Sequence, residues 1–316
     1  MILEQSEHIM EEVQKAFMGK EEIVKKVLMT IYAGGNILLE DCPGVGKTTL
    51  ALAFSRAIVF DYKRIQFTTD TMPSDITGYT MYNHKTNEFE YHPGAVECNF
   101  LLADEINRTS PKTQAALLEA MQEKKVTVDG VTHALPNPFI CIATQNQYGA
   151  AGTQPLPDSQ LDRFMVCLSI GYPSRETQMQ VIRASRYHNP LDDVREVCSA
   201  ESIKEVQGYL SSVFIEDSVL DYLIHICEAT REDHNVEQGV SPRGVLALSK
   251  MAKARAVLES REYVTPEDVQ SVYIDVCAHR IQLRSAARIE GITARQVLKK
   301  ILKDIKPPVI VKGNRG

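Results

Sequence analysis

The stretch NILLEDCPGVGKTTLALAFSRAIVF, residues 36–60, constrains the fold more than any other part of the chain. It begins with a short apolar run and continues with a loop that ends in Gly46, Lys47 and Thr48. Apolar residues at helical spacing follow the loop. This order predicts a buried strand, a phosphate-binding loop and a helix whose N-terminus faces the phosphates. Asp41 stands where the usual pattern G-x-x-x-x-G-K-[ST] has its first glycine. Because aspartate tolerates turn geometry, we expect the loop still to bind a nucleotide.

Each residue of the loop has an expected role. Gly44 and Gly46 stand where the backbone approaches phosphate most closely. Lys47 is expected to contact the β- and γ-phosphates, and Thr48 to ligate Mg²⁺. The alternative is a chance turn in front of a surface helix. The expected nucleotide-binding residues of the loop are Pro43, Gly44, Val45, Gly46, Lys47, Thr48 and Thr49.

Polar side chains also close two further strand-like runs. FLLADE ends in Asp104 and Glu105, and FICIATQN ends in Asn146. Asp104 is expected to join the Mg²⁺ shell, through a water molecule, and Glu105 to deprotonate the attacking water. The amide of Asn146 can donate to the γ-phosphate or hold that water without adding negative charge. Taken singly, such residues are also typical of strand ends that meet solvent.

The pattern along the chain predicts an α/β fold with two domains. Apolar strands separated by helices in the first half favour a parallel sheet covered on both faces. After about residue 173 the strand signals stop and helical patterns follow. We therefore predict an α/β nucleotide-binding core with a helical N-terminal segment over 1–173 and a smaller all-α domain over 174–316. Hairpins are predicted at about 77–93 and 126–135, the second around an Asp-Gly turn.

Composition narrows the function classes. The chain has 316 residues and a net charge of −6, so its charge balance does not favour binding to a nucleic acid. Its seven cysteines are scattered singly, which argues against a disulfide framework and a zinc site. The acidic N-terminus does not resemble a signal peptide, and no apolar run approaches membrane-spanning length. These features predict a cytoplasmic protein without a membrane span.

Taken together, the motifs resemble the MoxR family of AAA+ ATPases over nearly the whole chain. The segment LLADEINR followed by KTQAALLEAMQE is specific to that family, and an acidic residue in place of the first loop glycine also looks typical of it. The residues that carry the resemblance are DCPGVGKTT, LLADEINRTSPKTQAALLEAMQE, VTVDGV, ATQN, LPDSQLDRF and SPRG.

The resemblance implies roles for residues that the sequence alone leaves ambiguous. Asn146 matches the sensor-1 residue, and Arg243 matches the sensor-2 arginine that reaches the nucleotide from the lid. Arg163 matches the arginine finger that acts on the ATP of the neighbouring subunit, and Arg108 is expected near the subunit interface. One departure is Gln147-Tyr148, where the family commonly has a proline after the asparagine. Without the resemblance, Arg163 and Arg243 could equally be surface arginines.

The function implied is that of an ATPase that couples Mg-ATP hydrolysis in a ring, typically a hexamer, to chaperone-like remodelling or maturation of protein substrates. The family often works with proteins that carry von Willebrand factor A domains. The inserted hairpins are expected to face the pore or the substrate. One alternative is a nucleic-acid motor related to AAA+ helicases, which share these hairpins. A second is a nucleotide switch that does not hydrolyse.

Overall fold

The computed structural model describes residues 2–42, 44–145, 156–184, 186 and 188–309. In chain order the α-helices are α1 (Ile2–Ala16), α2 (Glu21–Tyr32), α3 (Lys47–Ala57), α4 (Pro73–Thr77), α5 (Pro111–Glu123), α6 (Asp158–Leu161), α7 (Arg175–Ala184), α8 (Ala200–Tyr209), α9 (Asp217–Glu232), α10 (Pro242–Leu258), α11 (Pro266–Cys277), α12 (Ser285–Ile289) and α13 (Ala294–Asp304).

The strands fall into one large sheet and several two-stranded pairs. They are β1 (Ile37–Glu40), β2 (Ile58–Val59), β3 (Tyr62–Gln66), β4 (Tyr79–Asn83), β5 (Glu88–His92), β6 (Phe100–Asp104), β7 (Lys125–Val128), β8 (Val131–Ala134), β9 (Ile140–Gln145), β10 (Val166–Leu168), β11 (Cys198–Ser199), β12 (Val236–Gln238) and β13 (Gln282–Leu283).

The large sheet is parallel and has the strand order β10-β1-β9-β6-β3. Its side chains alternate between two apolar layers, as the pleat of a strand requires. Leu38 faces the cluster that includes Leu117 and Met121 of α5. Ile37 and Leu39 face the opposite cluster, which helices α1, α2 and α3 and the C-terminal helices share. The predicted α/β core with a parallel sheet is confirmed.

Two helices begin at capping residues that the local sequence provides. Ser110 caps α5 by accepting a hydrogen bond from the Thr113 amide, with proline at the first helical position. Thr265 and Asp268 form a capping box at α11. Such caps satisfy amide groups that have no partner within the helix.

The C-terminal half is helical as predicted, but it also contains short strands that the sequence did not indicate. Cys198 and Ser199 pair in parallel with β2 of the core, and β12 pairs with β13. Strands of two or three residues are too short to show a period-two pattern. In the residues that the structure describes, no helix is long and apolar enough to cross a membrane.

Candidate functional site

The phosphate-type loop lies at the carboxyl edge of the sheet, between β1 and α3. Gly44 and Gly46 adopt left-handed conformations, with φ of 82° and 94°, that favour glycine over residues with a Cβ. Lys47 is the first residue of α3, is only 8% exposed, and donates from Nζ to the backbone oxygen of Asp41 at 3.2 Å. Thr48 and Thr49 follow in the first turn of the helix. The loop therefore has the backbone shape and the buried lysine of an anion site at a helix N-terminus.

Asp104 and Glu105 lie at the same carboxyl edge of the sheet, where a buried hydroxyl holds them. Thr144 of β9 donates from Oγ1 to Asp104 Oδ1 at 2.6 Å, and the same oxygen accepts from the Glu105 amide at 2.9 Å. Thr144 is fully buried. Because β6 and β9 are parallel neighbours, one threonine can fix both the carboxylate of Asp104 and the backbone of Glu105.

Glu105 has a left-handed backbone, with φ of 58°. A residue with a Cβ adopts this conformation only where its surroundings impose it, and such residues concentrate at functional sites. The Glu105 carboxylate accepts from Gln66 Nε2 at 3.0 Å and pairs with Arg108 at 2.8 Å. A carboxylate held this way, one residue after Asp104, is placed to act as a base at the strand end.

The oxygen donors present fit a magnesium ion. Asp104 contributes a carboxylate, which also pairs with Arg64 at 2.8 Å, and Thr48 contributes a hydroxyl. Magnesium prefers oxygen ligands and keeps several waters in proteins, so few protein donors are needed. Thr48 and Asp104 are the residues of this chain that would hold it.

Beside the loop lies a cavity of about 230 Å³ with mostly apolar walls. Its walls come from three places: the phosphate loop, the connection between α1 and α2, and the segment from the end of β10 into α7. Phe17 packs closely against Gly46. An apolar cleft next to an anion site is suited to a flat heteroaromatic base. The principal apolar residues that line it are Phe17, Met18, Val45, Ile170, Pro173 and Val181.

Arg163 and Arg243 lie at the other edge of the sheet. Arg163 precedes β10, the parallel neighbour of β1, so it is at the amino edge while the phosphate loop is at the carboxyl edge. The four residues of β1, at roughly 3.3 Å each, alone separate the edges by roughly 13 Å. Arg163 donates from Nη1 to the Leu118 backbone oxygen at 3.1 Å, and Arg243 donates to Gln122 at 3.2 Å.

The two arginines share a neighbour, Asp162. Arg243 lies 3.8 Å from its carboxylate, and Ser241, the N-cap of α10, donates to it at 2.8 Å. The buried Arg280 donates to the same carboxylate at 2.9 Å and to the backbone oxygens of Phe164 and Met165 at 2.6 and 3.1 Å. Hydrogen bonds from the helical domain therefore hold the segment that carries Arg163.

The hairpins β4–β5 and β7–β8 contact each other. Tyr91 of β5 stacks on His133 of β8, with ring centroids 3.8 Å apart. The first hairpin exposes aromatic side chains, above all Phe89, which is 75% exposed and packs edge-on against Tyr82. Exposed aromatic side chains of this kind are typical of interaction surfaces.

The structure thus brings together most of the predicted site. The loop residues Gly44 to Thr49, Asp104 and Glu105 converge at one edge. Pro43 and Asn146 lie outside the described residues. The predictions did not include Thr144, Gln66, Arg64, Asp162, Arg280 or the cavity. Strand register connects Thr144, Gln66 and Arg64 to the motifs, and a hydrogen bond from Arg280 reaches Asp162. Thr144 lies within the ATQN segment and Asp162 within the LPDSQLDRF segment that the sequence did single out.

A phosphate-type loop on a parallel sheet, followed by a helical lid, defines the class of P-loop ATPases with a C-terminal lid. Residues 36–166 match the model of the ATPase family associated with various cellular activities, and residues 228–301 match that of an AAA lid domain.

Comparison with individual proteins narrows the class. An uncharacterized protein of Bacillus subtilis, YeaC, is 45% identical, covering 95% of this chain and 93% of its own length. The chaperone MoxR1 of Mycobacterium tuberculosis is 35% identical, over 95% of this chain and 81% of its own. A crystal structure from Cytophaga hutchinsonii, solved as a candidate ATPase, superimposes with a TM-score of 0.90 at 36% identity and covers 98% of this chain and 96% of its own. The chain belongs to the MoxR family of AAA+ ATPases.

Proposed function

We propose that this protein hydrolyses Mg-ATP in a ring of identical subunits, expected to be hexameric, and uses the hydrolysis to remodel or mature protein substrates. The observation that carries the proposal is the separation of the site into two halves. The phosphate loop, Asp104 and Glu105 lie at one edge of the sheet, and Arg163 and Arg243 lie at the other. In this structure one chain does not bring both halves to one nucleotide, whereas adjacent copies in a ring can.

Within one copy, each residue of the first half has a defined task. Lys47 and the helix N-terminus balance the charge of the β- and γ-phosphates. Glu105, held by Gln66, accepts a proton from the attacking water, and Thr144 keeps Asp104 and Glu105 in register. The bound magnesium ion would neutralise phosphate charge. The sensor-1 role of Asn146 stays a prediction, and the apolar cavity around Phe17 and Val45 would take the adenine base.

In the proposed ring, Arg163 and Arg243 serve the neighbour's nucleotide. A guanidinium supplied in trans stabilises charge that develops on the transferred phosphoryl group and is worth about 10³–10⁵ in rate. The sensor-2 role of Arg243 would then be exercised across the interface, because Gln122 and Asp162 hold it at the amino edge. Arg108, paired with Glu105, would lie close to the same interface.

An exposed apolar surface lies next to the base cavity, the apolar cavity beside the phosphate loop that would take the adenine base. This surface supports the proposal that a second copy of the chain packs there. Tyr172, Met179 and Ile182 are 74%, 45% and 69% exposed on and just before α7. Val181 of the same helix lines the cavity. A neighbouring subunit that delivers an arginine to this nucleotide would cover this apolar surface, which is costly to leave in water.

The substrate class rests on the hairpins and on the named relative. The exposed aromatic side chains of β4 and β5 suit contacts with a polypeptide. A relative that is 35% identical is named as a chaperone. A partner with a von Willebrand factor A domain and a cytoplasmic location stay predictions from the sequence.

A nucleic-acid motor is the weaker candidate. The second hairpin ends in Asp129 and Gly130, and near the tip of the first Lys85 and His84 lie close to Glu88. Nucleic-acid motors bind phosphates through clustered lysines and arginines, which these hairpin tips lack. Salt-dependent binding of single-stranded DNA would favour this alternative.

The ring proposal is tested by mixing two inactive variants. Arg163→Ala lacks the finger and Lys47→Ala lacks the phosphate contact, so each is expected to lose at least about 10³ in turnover alone. In a randomly mixed 1:1 ring, about one quarter of interfaces pair an intact loop with an intact finger, so about a quarter of wild-type turnover should return.

Lys303→Ala, on an exposed part of α13, is the control and should keep wild-type turnover. Wild-type turnover per subunit should also rise with protein concentration, since a single copy lacks the finger. Mixed variants that co-assemble by light scattering yet stay inactive would rule out the trans role of Arg163.

A further inference from the structure

Asp41, the residue that departs from the phosphate-loop pattern, makes specific contacts far along the chain. Its side chain is buried, with 6% of the residue exposed. The carboxylate accepts hydrogen bonds from the Gly171 amide at 3.0 Å, from Ser169 Oγ at 3.3 Å and from the Ile170 amide. A glycine at this position has no group that could accept any of them.

The three donors form one short segment, 169–171, directly after β10. This segment is a wall of the base cavity, which Ile170 and Gly171 line. It then leads through Tyr172, whose backbone oxygen accepts from Lys20 Nζ at 3.1 Å, into α7. The segment therefore belongs both to the nucleotide site and to the start of the helical domain.

A buried carboxylate fixes its donors firmly. Because an ionised oxygen away from water must be hydrogen-bonded, its bonds to two consecutive amides are charge-assisted and directional. The backbone of Asp41 is anchored to the loop at the same time, since its oxygen accepts from Lys47 and its amide donates to Gln145 of β9 at 3.3 Å. Side chain and backbone of one residue thus join the phosphate loop to the cavity wall.

We propose that Asp41 is a positioning residue that holds segment 169–171 against the phosphate loop, so that the phosphates and the adenine base of the nucleotide are bound as one unit. It follows that glycine at position 41, although it restores the usual phosphate-loop pattern, weakens nucleotide binding. This inference rests on the proposed binding of ATP at this site. Asp41 does not touch the reacting atoms; it acts through the segment that it holds.

The test compares Asp41→Gly, Asp41→Asn and Ser169→Ala with the wild type, using ADP as the probe in calorimetry. Asp41→Gly removes all three bonds and is expected to weaken ADP binding about tenfold or more, the effect of losing a charge-assisted contact. Asp41→Asn keeps one acceptor oxygen without the charge and should lie between. Ser169→Ala removes the longest bond and should change affinity less than about threefold.

Asp129→Gly is the matched control, because it makes the same substitution at an exposed hairpin tip. It should leave ADP affinity unchanged. In steady-state assays Asp41→Gly should raise the KM for ATP about tenfold and change kcat less than threefold, because the hydrolytic residues are untouched. A loss of folding alone would not produce this split. Asp41→Gly that binds ADP as tightly as the wild type would overturn the proposal.

Hydrogen exchange separates this proposal from the function on which it rests. Without nucleotide, the amides of Ile170 and Gly171 should exchange at least about tenfold faster in Asp41→Asn than in the wild type, since their acceptor is weakened. This measurement needs no ligand and uses the milder of the two Asp41 variants. Unchanged exchange would refute the tether even if ADP binds. A wild type that shows the tether but binds no ADP would instead refute the nucleotide site.

Discussion

Arg280 offers the sharpest test of how the helical domain holds the core. It follows α11, is 6% exposed, and donates to the Asp162 carboxylate and to the backbone oxygens of Asp162, Phe164, Met165 and Val276. Burial lowers the pKa of the Arg280 guanidinium, and the Asp162 carboxylate opposes that shift. The perturbation is Arg280→Ala, which removes the donor and leaves these acceptors behind.

The expected cost follows from what is left unpaired. Removing one partner of a buried ion pair costs about 3–5 kcal/mol, because the other charge stays behind without compensation. The Asp162 side chain is 21% exposed and keeps its contacts with Ser241 and Arg243, so its charge stays partly compensated and the lower end of that range applies. We therefore expect Arg280→Ala to lower the free energy of unfolding by about 3 kcal/mol. Arg280→Lys keeps the charge but not the planar fork, so it should recover only part of this.

Urea unfolding followed by circular dichroism measures this difference. The control is Arg288→Ala at an exposed position on α12, expected within about 0.5 kcal/mol of the wild type. ADP affinity should change little in Arg280→Ala, because the phosphate loop lies at the opposite edge, whereas turnover should fall because the segment carrying Arg163 is released. A loss of less than about 1 kcal/mol would refute the reasoning that Arg280 is a buried clamp.

Three further predictions concern the base Glu105, the first hairpin and His279. Glu105→Gln should bind ATP but hydrolyse it about 10²–10⁴-fold more slowly, by a phosphate-release assay, and wild-type turnover would place the base elsewhere. Deleting the hairpin tip, residues 83–88, should spare ADP binding and reduce substrate-dependent activity, whereas loss of folding would indicate a structural role. Burial and the adjacent Arg280 lower the pKa of His279 well below its usual value. Its contribution to stability is therefore present above about pH 6.5 and is lost as the pH falls below that value, so His279→Gln should flatten the fall in unfolding free energy between about pH 7 and 5.

The sequence predicted those parts of the site that local patterns encode. The phosphate loop and the pair Asp104 and Glu105 each depend on neighbours within a few residues. Thr144 was missed as a functional residue because its hydroxyl reaches Asp104 through the pairing of β9 with β6, 40 positions apart. The base cavity escaped prediction for the same reason, since its walls come from three separate stretches of chain.

Asp41 shows a different limit of sequence reasoning. The pattern identified the right residue as unusual, but turn geometry explained only why an aspartate is tolerated there. Its role became visible through the donors at Ser169, Ile170 and Gly171, which lie about 130 positions further along the chain. Long-range polar contacts of this kind leave no period in the sequence, because a single buried side chain and backbone amides carry them.

One short strand, β10, carries a contact of interest at each of its ends. β10 has only three residues, Val166–Leu168. At its amino end Arg280 and Ser241 of the helical domain hold Asp162, next to Arg163. At its carboxyl end Asp41 holds the segment that leads into α7. A movement of the helical domain away from the sheet must break the bonds to Asp162 or carry the Arg163 segment with it. Under the proposed ring, this couples the helical domain of one subunit to the nucleotide of the next. The reason is that Arg163, which would act on that nucleotide, is adjacent to Asp162, which the helical domain holds.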